Sequence, residues 1–509
     1  MGLPKLTPKR AIFLVLLAVL CLGIFAISMR LEGLTRDRAI AELEKRYDRK
    51  VELKSLSIAL LPSIRISGQG LLVHQKDLKR SPAFIAVESF SAEIPFWRLL
   101  RKPLQLGTIR LQGLRVNVPT GEHKKDKTEE QHQDNDSAVP AFVIDHIIAD
   151  GTILTILPKR AGGDPLVFDI ERLTLRSAGI NRPMKFETAL KNAKPPGLIN
   201  SAGNFGPWNE DEPGQTAVSG DYTFRDADLG VFKGIAGTLS SVGRYTGVLE
   251  QIVIDGETDT PNFGLDVSRN TVHLKTQFHA IVDGTNGDTL LQPVNAQFLR
   301  TSIVATGGIV GKRGTRGKTI RLDVSVSKSR VEDLLTLAIK SQKPPLAGWA
   351  TFQTRLELPP GPEDVISRLK LDGRFGISSA EFSGFDVQRK VNELSQRARG
   401  NTGDDATDER VVSDLGGQFT LNHGKAQFSE LSFRVPGAAV RLNGQYGLIT
   451  EVIDFRGKVQ MDAKLSETTT GFKSVFMKIV DPFFRKNGKT VLPIKISGNL
   501  DQPSFGLDL

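Results

Sequence analysis

The chain has 509 residues, a formal net charge of +10, a pI of about 9.5 and a single cysteine. That length supports one to three domains around a large core, and a body without cysteine beyond position 21 excludes a disulfide-built scaffold while suiting a cytosol or a bacterial periplasm. The basic residues are scattered and nowhere interleaved with aromatics, which argues against a nucleic-acid surface and leaves anionic lipid head groups as a counterpart.

In chain order, the first informative stretch is the charge-free apolar run at 11–29, AIFLVLLAVLCLGIFAISM, behind the basic residues Lys5, Lys9 and Arg10. A membrane-crossing helix needs ~20 mostly apolar residues. The run serves either as a retained anchor or as the core of a cleavable signal peptide. Ala26 and Ser28 imitate a cleavage site, but the run exceeds the ~7–15 residues usual for that core, which favours an anchor. Leu20 stands before Cys21 where a lipid-attachment site would want a small residue. Arg30, Arg36, Arg38, Lys45 and Arg46 follow the run, so charge bias alone leaves its orientation open. Between Arg36 and Tyr47, Ile40, Leu43 and Tyr47 share one helical face, the pattern of a short amphipathic neck helix.

From Val51 the period changes to two. Leu56, Ile58 and Leu60 alternate with small or polar residues, then Ile64 and Ile66 resume after Leu61 and Pro62, which reads as strand, turn, strand. A unit of apolar, any, apolar, any, glycine recurs at Ile64-Ile66-Gly68, Ile109-Leu111-Gly113, Ile252-Ile254-Gly256, Ile303-Ala305-Gly307, Leu369-Leu371-Gly373, Val440-Leu442-Gly444, Ile453-Phe455-Gly457 and Ile494-Ile496-Gly498. Two copies match further: Ile109, Leu111, Gly113, Val116, Val118 against Ile147, Ala149, Gly151, Leu154, Ile156. The expected element is a strand whose glycine serves a turn or bulge.

The segment 121–139 is almost wholly polar and is expected to be a disordered loop. With a Gly- and Pro-rich stretch over 195–216 and a polar one over 398–410, it divides the chain. The expected sections are a tail and transmembrane anchor at 1–29, a neck helix and N-terminal β section at 30–120, the loop 121–139, a middle β section with short helices at 140–397, the loop 398–410 and a C-terminal β section with an amphipathic helix at 411–509. Ser329 and Glu332 have capping-box spacing ahead of the stripe Val331, Leu334, Leu335, Ala338, Ile339. Val387, Val391 and Leu394 mark another helix, and Phe472, Val475, Phe476, Ile479, Val480 and Phe483 a stronger one over 471–484. The cleanest strand sets Ile453, Phe455, Gly457, Val459 and Met461 against Asp454, Arg456, Lys458, Gln460 and Asp462.

Catalytic patterns fail on inspection. Gly317-Lys318-Thr319 and Gly488-Lys489-Thr490 lack the upstream glycine of a phosphate loop, and Ser325-Val326-Ser327-Lys328 fits S-x-x-K but sits on an alternating strand without an S-D-N partner. Residues 283–288, DGTNGD, offer oxygens but lack the order of a calcium loop and suit a hairpin turn. The expectation is a protein that is not an enzyme, with no cofactor and no metal site.

The order of apolar run, neck helix, then RKVELKSLSIALLPSIRISGQGLLV (49–73) and LGTIRLQGLRVNV (106–118) resembles the N-terminal part of AsmA-like proteins of Gram-negative envelopes. SDLGGQFTLNHGKAQFSELSFRVPGAAVRLNGQYGL (413–448), DFRGKVQMDAKLS (454–466) and VLPIKISGNLDQPSFGLDL (491–509) resemble their C-terminal region. The resemblance implies an inner-membrane anchor, a periplasmic body at 30–509 and kinship with bridge-like lipid-transfer proteins, whose elongated, curled antiparallel β-sheet forms an apolar trough for phospholipid acyl chains. The fold class expected is therefore mainly β, groove-like, with a few amphipathic helices and one N-terminal transmembrane helix. An open apolar face in water is unfavourable by ~25 cal/mol per Å², so the face either fills its interior with side chains or holds something greasy. The candidate lining residues are Phe419, Leu421, Val440, Leu442, Ile453, Phe455, Val459 and Met461, or else these form a closed, ligand-free core. The expected partners are phospholipid, the inner membrane through 11–29 and an outer-membrane or periplasmic protein. The leading function is lipid transfer and homeostasis between the two membranes, and the alternative is a scaffold for outer-membrane protein assembly acting through exposed strand edges.

Overall fold

The structure is a computed structural model that describes residues 50–59, 63–74, 83–95, 104–119, 142–157, 165–179, 183–207, 212–312, 315–340, 343–382, 413–462, 489–499 and 502–508, with scattered positions in 36–44, 391–396, 209 and 485–486. The apolar run at 11–29, the segment 121–139, the loop 398–410 and the expected helix over 471–484 lie outside the described residues, as do Val387 and Leu394. Among the described residues no helix is long and apolar enough to cross a membrane. Residues 36, 37, 40, 41 and 44 are helical, and Ile40 packs against the N-terminal core, as the neck helix requires.

Among the described residues the alternating stretches form one curled, mixed sheet of 27 strands. The N-terminal section holds β1 (Val51–Glu52), β2 (Ser55–Ala59), β3 (Ile64–Val73), β4 (Ile85–Ile94), β5 (Leu104–Gln112), β6 (Arg115–Pro119) and β7 (Phe142–Leu157). A meander follows through β8 (Leu166–Gly179), β9 (Met184–Ala193), β10 (Pro196–Phe205), β11 (Ala217–Asp228), β12 (Ile235–Ala236), β13 (Thr238–Val248), β14 (Gln251–Leu265) and β15 (Thr271–Val282). It continues through β16 (Thr289–Phe298), β17 (Thr301–Gly311), β18 (Lys318–Arg330), the helix α1 (Val331–Ala338), β19 (Leu346–Leu358), the short helix α2 (Val365–Arg368) and β20 (Lys370–Phe382). The last strands are β21 (Ser413–Asn422), β22 (Lys425–Val435), β23 (Ala438–Gly447), β24 (Val452–Met461), β25 (Arg485–Lys486), β26 (Lys489–Asn499) and β27 (Gln502–Leu507). At ~4.8 Å per strand step the sheet runs roughly 100 Å along its own curve.

Three expectations are corrected. The sheet is not wholly antiparallel, because β5 and β6 both pair with β7 in parallel. The paired residues are the two matching stretches read from the sequence: Ile109 faces Ile147, Leu111 faces Ala149 and Val116 faces Leu154. Gly113 and Gly151 share the same positive φ, 63° and 64°, so both strands kink in step where the ladder passes from β5 to β6. Second, most glycines of the repeated unit do not make turns. Gly68, Gly256, Gly373, Gly444 and Gly457 lie inside strands. Their missing side chains admit a neighbour: a Cβ on Gly68 would fall 2.4 Å from the Phe90 ring, and one on Gly444 2.6 Å from Phe455. Third, the capping box is absent. Arg330 is the N-cap of α1 and makes no side-chain cap bond, Ser329 belongs to β18, and Glu332 accepts instead from Arg330 Nε at 2.7 Å and from the Gly348 amide at 3.2 Å. Extended backbone through Arg330 moves the helix start past the serine.

The antiparallel meander gives the sheet two rims. One carries the β11–β12, β14–β15, β16–β17 and β18–β19 connections, the other the β13–β14, β15–β16, β19–β20 and β23–β24 connections. The rims meet. The Val365 amide, on the β19–β20 connection, donates to the Lys233 carbonyl on the β11–β12 connection at 2.9 Å, and Gly234 lies so close to Asp364 that a Cβ would sit 2.8 Å from its carboxylate. Lys340, between α1 and β19, pairs with Glu451, between β23 and β24, at 3.6 Å. The ribbon of strands therefore winds so that one edge touches the other.

Candidate functional site

The side-chain register divides the sheet into two faces of opposite character. On one face Phe186, Gly203, Gly220, Tyr245, Ile254, Ala280, Leu291, Gly307, Leu322, Leu356, Leu371 and Leu421 stand in one cross-strand row. On the other, exposed charges pair across strands: Arg172 with Asp150 at 3.0 Å, Arg244 with Asp221 at 3.1 Å, His279 with Asp255 at 2.7 Å and Arg321 with Glu357 at 3.0 Å. The hydrogen bond from Arg321 holds the Glu357 carboxyl below its ordinary value, and the one that Lys191 donates to Glu171 holds the Lys191 ammonium above its own. A depression of about 720 Å³ on this charged face lies between Asp221, Arg244, Asp255 and His279 on one bank and Thr223, Glu257, Gln277 and Asn295 on the other.

Exposure identifies which face is inside. The large hydrophobic strand residues of the middle section that exceed 40 % exposure, Val167, Leu198, Val242, Leu290, Val304, Val310 and Trp349, all belong to the charged face. Phe186, Ile199, Phe224, Ile254, Phe278 and Leu322, on the apolar face, are half-buried. The apolar face of this section is thus sheltered without being filled.

Its floor explains that state. Gly243 faces Gly256 across β13 and β14, and the Tyr222 and Phe278 rings on the flanking strands lie over Gly256, whose Cβ would sit 2.8 Å from either. Tyr245 likewise lies over Gly220. Hydroxyls tie the rings down: Tyr245 pairs with Ser201 at 2.7 Å and Tyr222 with Ser241 at 3.0 Å, and Ser201 and Ser241 donate to the carbonyls of Asp221 and Glu257. Burial raises the pKa of both phenols, and the serine hydrogen bonds oppose this only in part. Aromatic rings that lie flat leave space above the sheet.

Further along, the same face becomes a phenylalanine stripe. Phe352 stacks on Phe419 with centroids 5.1 Å apart, Phe419 and Phe375 stand 6.2 Å apart, and Phe428 continues the contact to Phe455 at 5.7 Å. All eight candidate lining residues lie on this face. Phe419, Leu421, Val440, Leu442, Ile453, Val459 and Met461 are buried, and Phe455 is half-buried. Val391 packs against Val440, Leu442, Val459 and Met461 in one cluster. The sheltered but unfilled part of the face lies further back, in β9 to β18, at residues that sequence reasoning did not single out. The signal was there: glycines recurring on the apolar side of strands, next to tyrosine and phenylalanine.

The 283–288 segment is a self-contained turn. Asp283 accepts from the Thr285 amide at 2.9 Å, from its hydroxyl at 2.6 Å and from Asn286 Nδ2 at 2.6 Å, while Asp288 takes Lys318 at 2.8 Å. Ser325 donates to the Val304 carbonyl, and Lys328 stacks on Trp349. These groups serve the sheet. No family model, curated protein or solved structure matches the chain.

Proposed function

We propose that the protein is a membrane-anchored, non-enzymatic carrier that holds phospholipid acyl chains against the apolar face of its sheet, and that it serves lipid transfer between the two membranes of a Gram-negative envelope. The observation that carries this reading is the sheltered, glycine-floored face of β9 to β18, which is mainly apolar, is interrupted by serine and threonine, and leaves its large residues half-buried. Acyl chains are the flexible apolar ligand whose shape suits such a face, and covering it removes an unfavourable contact with water worth ~25 cal/mol per Å². The AsmA-like sequence pattern at both ends of the chain supports the same assignment. It also supports a single inner-membrane helix at 11–29 with residues 30–509 in the periplasm, an arrangement that would hold the sheet close to a lipid source.

The test uses the alternation of the strand itself. A photo-crosslinking amino acid at Ile254, on the apolar face, is expected to capture phospholipid in cells, and the same group at the neighbouring Val253, on the charged face, is not. Capture of polypeptide alone at both positions would favour the assembly-scaffold alternative and sink the lipid reading.

A further inference from the structure

Resting on the acyl-carrier reading, the geometry points to a closed chamber in β13 to β19 that takes acyl chains in single file and fills sideways, through the seam where the α2 connection meets residues 229–237. Two rim contacts define the winding. The bond from Val365 to Lys233 joins edges that seven strands separate, β13 to β19, and the Lys340–Glu451 pair joins edges that five strands separate, β19 to β23. A ring of ~8 strands has a bore just wide enough for side chains to fill or for one small ligand to occupy. In the wider winding the inward rows set Gly243, Gly256, Ala280, Ala305 and Gly307 among Tyr245, Ile254, Phe278 and Leu322, and these larger residues are only half-buried, so the bore is not filled. In the tighter winding it is bulky, with Phe352, Phe375, Phe419 and Phe428 in mutual contact. The chamber is stopped at that end.

A chamber stopped by phenylalanine does not load from that end, and its wall offers one weak line. Every neighbouring pair of strands from β13 to β19 is joined by a backbone ladder of eight or more residue pairs, except β15–β16 with seven, and bulges interrupt the β14–β15, β15–β16, β16–β17 and β18–β19 ladders without parting the strands. Among the described residues the seam is held by one backbone hydrogen bond, a close approach of Gly234 to Asp364, the burial of Val365 and Ile366 on the α2 connection and, one turn on, an ion pair whose side chains are 42 % and 32 % exposed. Exposed ion pairs contribute little and are screened by salt. Opening there parts the rims without breaking a ladder, and the gap exposes the interior along the chain direction of an entering lipid tail.

The experiment locks the seam in the full-length protein. In a Cys21→Ser background, Lys233→Cys and Glu363→Cys, which flank the Lys233–Val365 bond, are joined by a flexible bis-maleimide with a reducible centre. Uptake of a pyrene-labelled phospholipid from phosphatidylethanolamine and phosphatidylglycerol vesicles is followed by fluorescence. The locked protein is expected to load at least tenfold more slowly than the uncrosslinked double variant, and reducing the linker should restore the rate. Each cysteine alone, treated identically, controls for labelling damage. Equal loading rates in locked and unlocked protein would overturn lateral entry while leaving the acyl-carrier reading intact. No uptake by the unlocked protein would overturn both.

Discussion

The N-terminal section and the middle of the sheet obey the same alternation yet reach opposite interiors. In β3 and β4 the inward residues Ile64, Ile66, Leu71, Val73, Ile85, Val87, Phe90, Ala92 and Ile94 are all at most 5 % exposed, and Phe84 beside them is 1 % exposed. In β9 to β18 the corresponding face stays half-buried, and its rows are broken by glycine, serine and threonine. Alternation alone therefore decides which face is apolar, and the volume of the residues on it decides whether that face closes. Branched aliphatics with Ile40 packed on them make a dry core. Gly68 lies under the Phe90 ring in that core as well, and what differs in β9 to β18 is that the aromatic neighbours of the glycines, Tyr222, Tyr245 and Phe278, stay half-buried.

This contrast predicts a hierarchy of mutational costs. The largest belongs to the N-terminal core: Phe84→Ala should cost about 3–5 kcal/mol in denaturant unfolding, because it leaves a cavity that close-packed neighbours cannot fill. Ile254→Ala, on the middle face, should cost less than Ile66→Ala at equal chemistry, since a half-buried side chain gives up less apolar contact. Equal losses would erase the distinction between the two interiors. Next comes Asp333, 2 % exposed in α1, which accepts from the Arg300 amide at 2.8 Å, the Arg300 guanidinium at 2.8 Å and the Thr301 hydroxyl at 3.2 Å. Asp333→Ala leaves these donors at the β16–β17 turn unpaired and should cost about 2 kcal/mol. Gly256→Leu should cost about 1–3 kcal/mol of overpacking. Its larger effect is on function, because a Cβ there meets only the movable Tyr222 and Phe278 rings and lifts them into the bore. Phospholipid uptake should fall severalfold with the unfolding transition still cooperative, and undiminished uptake would mean that the space above Gly256 is not the binding space.

Much of this fold is legible because period-two alternation is local. The strands around Ile453 and Ile64, the helix stripe from Val331 to Ala338 and the polarity of the faces are all written in spacing. The match between residues 109–118 and 147–156 even marks a pair of strands that lie side by side, though nothing local says that they run in parallel. The glycines were visible but their role was not, since a turn and a cross-strand aromatic neighbour both ask for a missing side chain. The winding is illegible for a different reason. It depends on Lys233 meeting Val365 and Lys340 meeting Glu451, contacts between distant residues whose identities carry no signature, set by twist accumulated over many strands. For the same reason the eight residues chosen for the lining share the right face, yet seven of them are buried, four within the tight winding of β19 to β23 and three in the adjoining β24.

The smallest effect probes how dry the middle face is. Burial raises the pKa of Tyr222 and of Tyr245, against the pull of their serine partners. A phenol whose folded value lies above its unfolded one contributes stability that is complete below the unfolded value and is lost as pH rises through the folded one. In a near-ultraviolet absorbance titration, Tyr222 and Tyr245 should therefore ionise late, and Tyr222→Phe and Tyr245→Phe should each remove one late step. The same variants each remove a hydroxyl pair, at a cost of about 0.5–1.5 kcal/mol at neutral pH. Acyl chains bound above the two rings would remove the remaining water and drive the late ionisation later still, so titration with and without bound phospholipid reads occupancy at the floor of the chamber. If both tyrosines ionise at the ordinary phenol value in the lipid-free protein, the middle face is wet throughout, and the contrast with the N-terminal core is one of solvent rather than of packing.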